Sequence, residues 1–481
     1  MVKENRIGKS VGSVMVFLLA LFVVGINISL AFDNVVWGDE AFSANVCKSS
    51  FSGILQILYY CDNHPPLYYF WLKIFGDLFG HKIYIYHFAS LVPFILSEIF
   101  AVTFFRKRLG NMPAAFLVAI LGLGYFCIEY NLEIRMYSLA FLGVMMTFYC
   151  SYMSILSGKK SAYIGMVIWA WVAAYSHYYG LVTVGILMFV TTVVIWIINR
   201  GKTFLKGVLA MVVFLIGYGP WFYFLFTAMK NINTSWWMTD ILGLEDTLGI
   251  VLGGYRFNWM ILGLLVIFCG ALLVLEKGKF SKETYVVMVG LATIIVTIGF
   301  AYFLCFTYKP MLAQRYMYPL SAVTFGTFIV AMSRVFLLFK EYGFYGGNIK
   351  GKIVKAVVFI ILLMFLFFGM GNFKVHKNVI KDQDIKTKAT LNLIGDNKED
   401  ALFVTNGVKH LGWTIFPCYF PKTEFVNGTY YAATKDKFWY FNLTPISDEE
   451  IGILNKIGYE VTSYGQMQIA QYVFSLYYME K

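Results

Sequence analysis

The sequence predicts an all-α polytopic membrane protein, and three observations lead to that prediction. The chain has 481 residues, of which 59% are hydrophobic and only 14% charged, whereas about a quarter of the residues in soluble proteins are charged. Its mean hydropathy is +0.67. Apolar runs of about 20 residues recur along it, which match helices crossing a hydrocarbon core about 30 Å thick and are too continuous for the strands of a membrane barrel.

Eleven membrane-spanning segments can be placed by hydropathy. The first resembles a secretory signal, but its apolar run is longer than a signal core and no clean cleavage site follows, so we expect an uncleaved anchor. Residues 67–79 form a short apolar stretch interrupted by Lys73 and Asp77, which favours an interfacial or re-entrant helix. The predicted spans lie near residues 11–32, 83–105, 112–128, 136–156, 161–176, 180–199, 204–226, 258–276, 284–306, 316–338 and 353–372.

The positive charges predict an orientation. The net charge is +12, and lysine and arginine gather in alternate loops, which the positive-inside rule assigns to the cytoplasm. With the N-terminus in the cytoplasm, residues 33–82 follow the first span and lie on the exoplasmic face. The odd number of spans places the carboxy-terminal region on the same face. Because the membrane topology accounts for the positive charges, we expect no nucleic acid partner. The cations are Lys3, Arg6, Lys9, Arg106, Lys107, Arg108, Lys159, Lys160, Arg200, Lys202, Lys206, Lys277, Lys279, Lys282, Lys340, Lys350 and Lys352.

A change of composition predicts two domains. Residues 1–372 would form the transmembrane domain, with 33–82 as an exoplasmic catalytic loop, and the polar residues 373–481 an exoplasmic α/β domain. Alternating apolar residues near 401–404 indicate a strand, and Ser447 followed by three acids indicates the start of a helix. No catalytic motif occurs there, so a role in capping the site or contacting an acceptor or partner is expected.

The seven cysteines form no CxxC pair and no disulfide spacing of the kind found in short secreted chains. Cys47 and Cys61 could form a bridge in the first exoplasmic loop, although the pattern favours unlinked thiols. A divalent metal is also conceivable among the acids and histidines, but no metal motif of fixed spacing is present.

Acids and bases collect at the span ends on the predicted exoplasmic side, where each ionisable group near lipid is a functional candidate. Such a set suits glycosyl transfer with a phosphate leaving group, because a carboxylate can take the proton of the acceptor hydroxyl and cations can neutralise the departing phosphate. The proline pair after His64 would hold that residue in an extended geometry. The residues are Asp39, Glu40, Asp62, His64, Glu129, Glu133, Arg135, His177, Arg256, Lys309 and Arg315.

Several of these residues lie in segments that resemble one family, the polyprenyl-phosphate-sugar-dependent glycosyltransferases of family 39. It includes the protein O-mannosyltransferases and the bacterial lipid A aminoarabinose transferases, which have the GT-C membrane fold. The resemblance covers roughly residues 10–335. The segments are Asp39-Glu40, Asp62-x-His64-Pro65-Pro66-Leu67, Glu133-Ile134-Arg135-Met136-Tyr137-Ser138-Leu139, His177-Tyr178-Tyr179-Gly180 and Gln314-Arg315-Tyr316-Met317-Tyr318-Pro319-Leu320.

The resemblance implies roles for individual residues. Asp39 would be the general base, and Glu40 its partner in orienting acceptor or donor. Asp62 and His64 match the turn that borders the sugar phosphate in the mannosyltransferases. A lysine precedes the two prolines in the aminoarabinose transferases, so His64 departs from that branch and makes aminoarabinose chemistry doubtful. The further donor-binding residues are expected to be Arg135, Tyr137, His177, Arg315 and Tyr316.

The resulting hypothesis is an inverting glycosyltransferase of the bacterial plasma membrane. It would move a sugar from a polyprenyl-monophosphate donor to an exoplasmic glycolipid, cell-wall polymer or protein, with membrane lipids as its other partners. Two alternatives stay open. A transporter or flippase would use the same charges to line a path, and a polymerase or ligase would use a lipid diphosphate donor.

Overall fold

The computed structural model describes residues 6–33, 35–62, 64–199, 201–232, 238–344, 349–395, 402–408 and 411–481. Lys3, Asn63, Arg200 and residue 401 of the expected strand lie outside these residues. The chain forms two compact units. The first comprises Met1–Ser29, Leu55–Tyr68 and Ser90–Lys374, and the second Leu30–Ile54, Tyr69–Ala89 and Val375–Lys481. The division at residue 372 that the sequence suggests stays a prediction.

Most of the described chain is helical. Two π-helical turns, Ala101–Phe105 and Leu411–Ile415, and two 3-10 turns, Gln314–Met317 and Tyr430–Ala432, interrupt or connect the α-helices. The α-helices are α1 (Arg6–Leu30), α2 (Gly38–Val46), α3 (Phe51–Tyr60), α4 (Leu67–Phe79), α5 (Ile83–Phe100), α6 (Arg106–Leu109), α7 (Asn111–Leu123), α8 (Tyr125–Leu132), α9 (Tyr137–Ser157), α10 (Lys160–Ser176), α11 (Tyr178–Ile198), α12 (Lys202–Ile232), α13 (Leu244–Val251), α14 (Arg256–Glu276), α15 (Lys282–Thr307), α16 (Tyr318–Glu341), α17 (Ile349–Gly395), α18 (Phe416–Tyr419) and α19 (Asp448–Lys456).

Each of the eleven predicted spans overlaps a helix. Within the described residues, nine helices are long and apolar enough to cross a membrane. The predicted span 112–128 is the bent pair α7 and α8, and the predicted span 161–176 is α10, which has 17 residues. The expected short helix at 67–79 is α4. The protein is therefore a multi-pass membrane protein, as the composition indicates.

The bend between α7 and α8 occurs at Gly124, where the two helices meet at 60°. Gly124 has an extended backbone (φ −61°, ψ 138°), so the last carbonyls of α7 lose their helical partners. Asparagines from three helices bind them instead. Asn131 donates to the Leu121 carbonyl at 3.3 Å, Asn27 to that of Gly122 at 2.8 Å and Asn372 to that of Leu123 at 3.0 Å. These bonds hold a broken helix inside an apolar environment.

We expect Asn27→Leu to lower the free energy of unfolding by about 1–3 kcal/mol, because it leaves the buried Gly122 carbonyl without its donor. Unfolding in mixed detergent and dodecyl sulfate micelles measures this change. Ser29→Ala is the matched control, since its hydroxyl bonds the Ile26 carbonyl in an exposed position, and we expect a change below about 0.5 kcal/mol. Equal changes in the two variants would show that the asparagine cap contributes nothing.

The carboxy-terminal part of the second unit contains a five-stranded mixed sheet, which confirms the α/β prediction for this region. Its order is β2-β1-β3-β5-β4, with β2 and β3 parallel to β1, and β5 antiparallel to both β3 and β4. Helix α19 starts where the sequence predicts, and the Ser447 hydroxyl accepts from the Glu450 N–H at 3.2 Å. The strands are β1 (Leu402–Asn406), β2 (Phe425–Asn427), β3 (Lys437–Asn442), β4 (Glu460–Ile469) and β5 (Tyr472–Glu480).

All seven cysteines lie in the described part of the chain and all are free thiols. Their exposure and acidity differ. Burial raises the pKa of Cys47 to about 12 and the pKa of Cys418 to about 11, so at pH 8 both are almost wholly protonated and react slowly. Cys61 is exposed.

The exposed thiol allows a test of the predicted orientation. We expect a membrane-impermeant maleimide at pH 8, added to sealed right-side-out vesicles, to label Cys61, while Cys47 and Cys418 react at least about tenfold more slowly. Peptide mass spectrometry measures the extent at each thiol, and Cys61→Ser serves as the control. Labelling of Cys61 in inverted vesicles alone would contradict an exoplasmic loop.

Candidate active site

In the first unit, four connections between helices bring charged and aromatic side chains together. These are the residues before α4 that include Asp62 and 64–66, the turn between α8 and α9, the residue between α10 and α11, and the 3-10 turn before α16. They carry the predicted residues Asp62, His64, Arg135, His177, Arg315 and Tyr316, and the predicted Tyr137 is the first residue of α9.

His64 lies between an acid and an arginine. Its Nδ1 is 2.6 Å from Asp62 Oδ1, and Arg135 Nη2 is 3.4 Å from its Nε2. Since a guanidinium only donates, Nε2 accepts and Nδ1 carries the hydrogen given to Asp62. Arg135 is 3% exposed, and Pro65 and Pro66 are buried. His64, held by Asp62 on one side, thus contacts and orients a buried guanidinium on the other.

His177 fills the junction between α10 and α11. Its backbone is extended (φ −154°, ψ 142°), and its Nδ1 accepts from the Tyr179 N–H at 3.2 Å, which caps α11. Burial lowers the pKa of His177 well below 6.5, and the positive charges of Arg135 and Arg315 lower it further. The ring is therefore neutral at physiological pH, with its hydrogen on Nε2.

Aromatic rings surround His177. Its ring centroid lies 5.1 Å from that of Tyr316, 5.6 Å from that of Tyr137 and 6.0 Å from that of His64. Contacts at these separations are favourable ring geometries. The predicted residues from four distant segments are thus brought into one cluster, which we call the histidine cluster: His64, Arg135, Tyr137, His177 and Tyr316.

Arg315 lies beside this cluster. Its guanidinium is 5.7 Å from the centre of the Tyr316 ring, and its charge acts on His177 and on Glu129. The side chain is half-buried. Two arginines of the first unit therefore contribute positive charge to the surroundings of one neutral histidine, an arrangement that suits a phosphate.

Sequence reasoning missed two tyrosines that pack against the cluster. The Tyr179 hydroxyl donates to the Met311 carbonyl at 3.0 Å, and its ring stacks at 6.0 Å on that of Tyr316. The ring of Tyr130 packs 5.3 Å from Tyr137. Tyr179 belongs to a segment that the resemblance identified, so its position two residues after His177 was an available signal. Tyr130 offers no such signal, because an apolar helix contains many aromatic residues.

The acid pair belongs to the second unit, in the first turn of α2. Glu40 Oε2 accepts from the Trp37 N–H at 3.1 Å, and the side chain is 6% exposed. Asp39 is half-buried, and its main-chain carbonyl accepts from Ser43. The two carboxylates thus differ: Glu40 caps the helix, whereas Asp39 is the more accessible acid.

Carboxy-terminal residues hold α2 within the same unit. The Tyr472 hydroxyl accepts from the Gly38 N–H at 3.1 Å, and Asn45 donates to the Thr414 carbonyl at 2.9 Å. Cys418 lies 3.7 Å from the Ala41 carbonyl. The sequence did not predict these contacts, which connect residues about 370 to 430 positions apart and fix the helix that bears the acid pair.

Among the described residues, no group of three or more histidine, cysteine, aspartate or glutamate side chains is arranged to hold a metal ion. The histidine cluster and the neighbouring Arg315 instead offer two guanidinium groups, the neutral imidazole of His177 and tyrosine rings. These groups can bind a phosphate through charge-assisted hydrogen bonds and stack against a sugar.

The fold has known counterparts. The crystal structure of ArnT from Cupriavidus metallidurans in the apo state is similar with a TM-score of 0.60 at 14% sequence identity, over 96% of this chain and 97% of that one. ArnT from the same organism bound to undecaprenyl phosphate gives 0.60 at 13% identity, with the same coverage. No family model matches the chain, and no curated protein matches it significantly. The chain therefore has the GT-C fold of the ArnT structures, which confirms the fold implied by the sequence resemblance.

Proposed function

We propose that the protein is an inverting membrane glycosyltransferase that moves a sugar from a polyprenyl-monophosphate donor to an exoplasmic acceptor. The observation that carries the proposal is the Asp62–His64–Arg135 arrangement beside the neutral His177. Support also comes from the fold, since a structure of the same fold was solved with undecaprenyl phosphate bound. A lipid-linked donor suits an outer membrane surface, where nucleotide sugars are absent.

The donor phosphate is assigned to the arginines. Arg135 is buried and oriented by His64, so its fork is preorganised for phosphate oxygens and loses little side-chain entropy on binding. Arg315 adds a second positive charge. Because these charges exist before the reaction, they stabilise the phosphate as the bond to the sugar breaks. Tyr137 and Tyr316 would border the sugar.

Asp39 is assigned as the general base. It removes the proton of the acceptor hydroxyl while that oxygen bonds to the anomeric carbon from the face opposite the phosphate. The bond between that carbon and the phosphate oxygen breaks, and its electron pair leaves with the polyprenyl phosphate. Glu40 supports Asp39 by capping α2 through the Trp37 N–H rather than by taking the proton itself.

A transporter or flippase is the second candidate, and Glu98 favours it. This carboxyl is 1% exposed within the apolar helix α5, and both of its oxygens lack a hydrogen-bond partner among the described residues. An ionisable group in a span is the kind of residue that lines a transport path. The charges of the histidine cluster, by contrast, lie in helix connections, which favours the transferase.

The test is a transfer assay with the purified full-length protein in lipid. A panel of polyprenyl-phosphate sugars, the matching polyprenyl-diphosphate sugars and nucleotide sugars is offered with bacterial envelope glycolipids, wall polymers and proteins as acceptors. We expect transfer from a monophosphate donor with inversion at the anomeric carbon. Transfer from the diphosphate donor alone would indicate a polymerase or ligase. Movement of donor across the bilayer without any transfer would support the transporter.

A further inference from the structure

A polar cavity lies in the first unit, and none of its lining residues belongs to the histidine cluster. Its volume is about 320 Å³, and it is formed by the last turns of α9 and α11 and the first turns of α12 and α15. These helix ends adjoin the lysine-rich loops that the charge pattern places in the cytoplasm. The lining includes Ser157, Asn199, Thr203, Lys206 and Lys282.

Two lysines give this cavity its charge. Lys206 Nζ donates to the Gly158 carbonyl at 2.9 Å, and Lys282 Nζ donates to the Leu156 carbonyl at 3.0 Å. Both bonds go to the end of α9, so they neutralise the negative pole of that helix. An ammonium has three N–H donors, which leaves two on each lysine beyond this bond. Glu283, the neighbouring carboxylate on α15, does not line the cavity.

Two helix beginnings add to the positive potential. Thr203 is the second residue of α12, and Lys282 is the first residue of α15. The first turns of long helices carry partial positive charge. Together with the two ammonium groups, they give the cavity a positive potential that suits an anion.

The remaining lining is mixed. Ile155, Ile195 and Ile198 line the cavity together with the hydroxyl, amide and ammonium groups. Helix capping alone explains the two lysine bonds, but it does not require a cavity whose lining combines two cations with apolar side chains. A membrane lipid with a charged phosphate and an apolar body has that combination of properties, and basic pockets between spans bind such headgroups.

We propose that this cavity binds a phosphate group, with Lys206 and Lys282 as its charged ligands. The phosphate is that of an anionic phospholipid headgroup or of a soluble phosphate compound on the same side of the membrane. The site is independent of the transferase chemistry, because its residues belong to other helix ends than the histidine cluster.

The test uses the full-length protein in detergent and native mass spectrometry to measure dissociation constants. The probes are phosphatidylglycerol, diacylglycerol as a lipid without phosphate, and inorganic phosphate. We expect the double variant Lys206→Gln/Lys282→Gln to bind phosphatidylglycerol at least about tenfold more weakly, since each lysine near a membrane contributes on the order of a fewfold to anionic lipid binding. Lys206→Arg keeps the charge and should stay within about threefold of the native protein.

The control is Lys277→Gln/Lys352→Gln, which removes the same charge from two exposed lysines outside the cavity lining. We expect its affinity to stay within about twofold of the native value. A soluble phosphate source is supported if inorganic phosphate displaces the lipid from the native protein and binds the cavity variant at least about tenfold more weakly. A lipid headgroup is supported if the lipid binds and inorganic phosphate does not displace it. Equal losses in the two double variants, or diacylglycerol binding as tight as phosphatidylglycerol binding, overturn the proposal. Melting temperatures without lipid confirm that each variant is folded.

Discussion

Asp39→Asn is expected to lower turnover by at least about 100-fold, within the range of general-base contributions. The substitution keeps the shape of the side chain and removes its capacity to accept the acceptor proton. Asp39 is the acid of the pair that is not buried as a helix cap, so α2 should stay folded. Initial rates of sugar transfer at saturating donor, together with the melting temperature, measure the two effects separately.

Glu40→Gln is the matched control on the same helix turn. Its amide oxygen can still accept from the Trp37 N–H, so the cap is retained while the charge is lost. We expect turnover within about tenfold of the native enzyme and a loss of about 0.3–1 kcal/mol in stability, from the weaker interaction with the helix N-terminus. A 100-fold loss in Glu40→Gln with a nearly active Asp39→Asn would exchange the two roles.

Arg135→Lys is expected to lower kcat/KM for the lipid-linked donor at least about 30-fold. Lysine keeps the charge but loses the planar fork, which can donate to phosphate oxygens while one of its nitrogens contacts His64. His64→Ala should lower the same constant, with little effect on folding, because it removes the group that orients Arg135. Initial rates at varied donor concentration give kcat and KM for each variant.

The double variant of these two residues is informative because they are in contact. Their effects should be less than additive, since His64 acts through Arg135. Arg334→Lys is the control: Arg334 donates to Glu276 at 2.7 Å, so we expect lower stability with kcat/KM within about threefold of native. Additive losses for His64 and Arg135 would falsify the positioning role, and unchanged donor kinetics in Arg135→Lys would remove that arginine from the phosphate site.

Some of this architecture could be predicted because its cause is local. Apolar runs predicted the spans, the break by Lys73 and Asp77 predicted a short helix, and Ser447 before three acids predicted the start of α19. The bend at Gly124 was not predicted, because hydropathy continues through it and the asparagines that stabilise it come from positions 27, 131 and 372.

The candidate site divides in the same way. The sequence identified the residue types, and the resemblance to the motifs of family 39 identified the segments Asp62 to Leu67 and Glu133 to Leu139. It did not show that His64 contacts Arg135, which lies 71 positions later, or that Glu40 is a helix cap and Asp39 the accessible acid. The joint action of Asp39 with the histidine cluster stays a prediction, since the two belong to different units.

The sequence by itself determined that this is a helical membrane protein with a polar carboxy-terminal domain, because hydrophobicity and helix start signals depend on neighbouring residues. The tertiary structure alone decided which charges become neighbours: the histidine and arginine of the cluster, the three asparagines at the bend, and the tyrosine of β5 on the helix of the acid pair. The physical reason is that such contacts arise from the packing of distant helices and strands, and one stretch of sequence carries no information about which remote side chain will fill the space beside it.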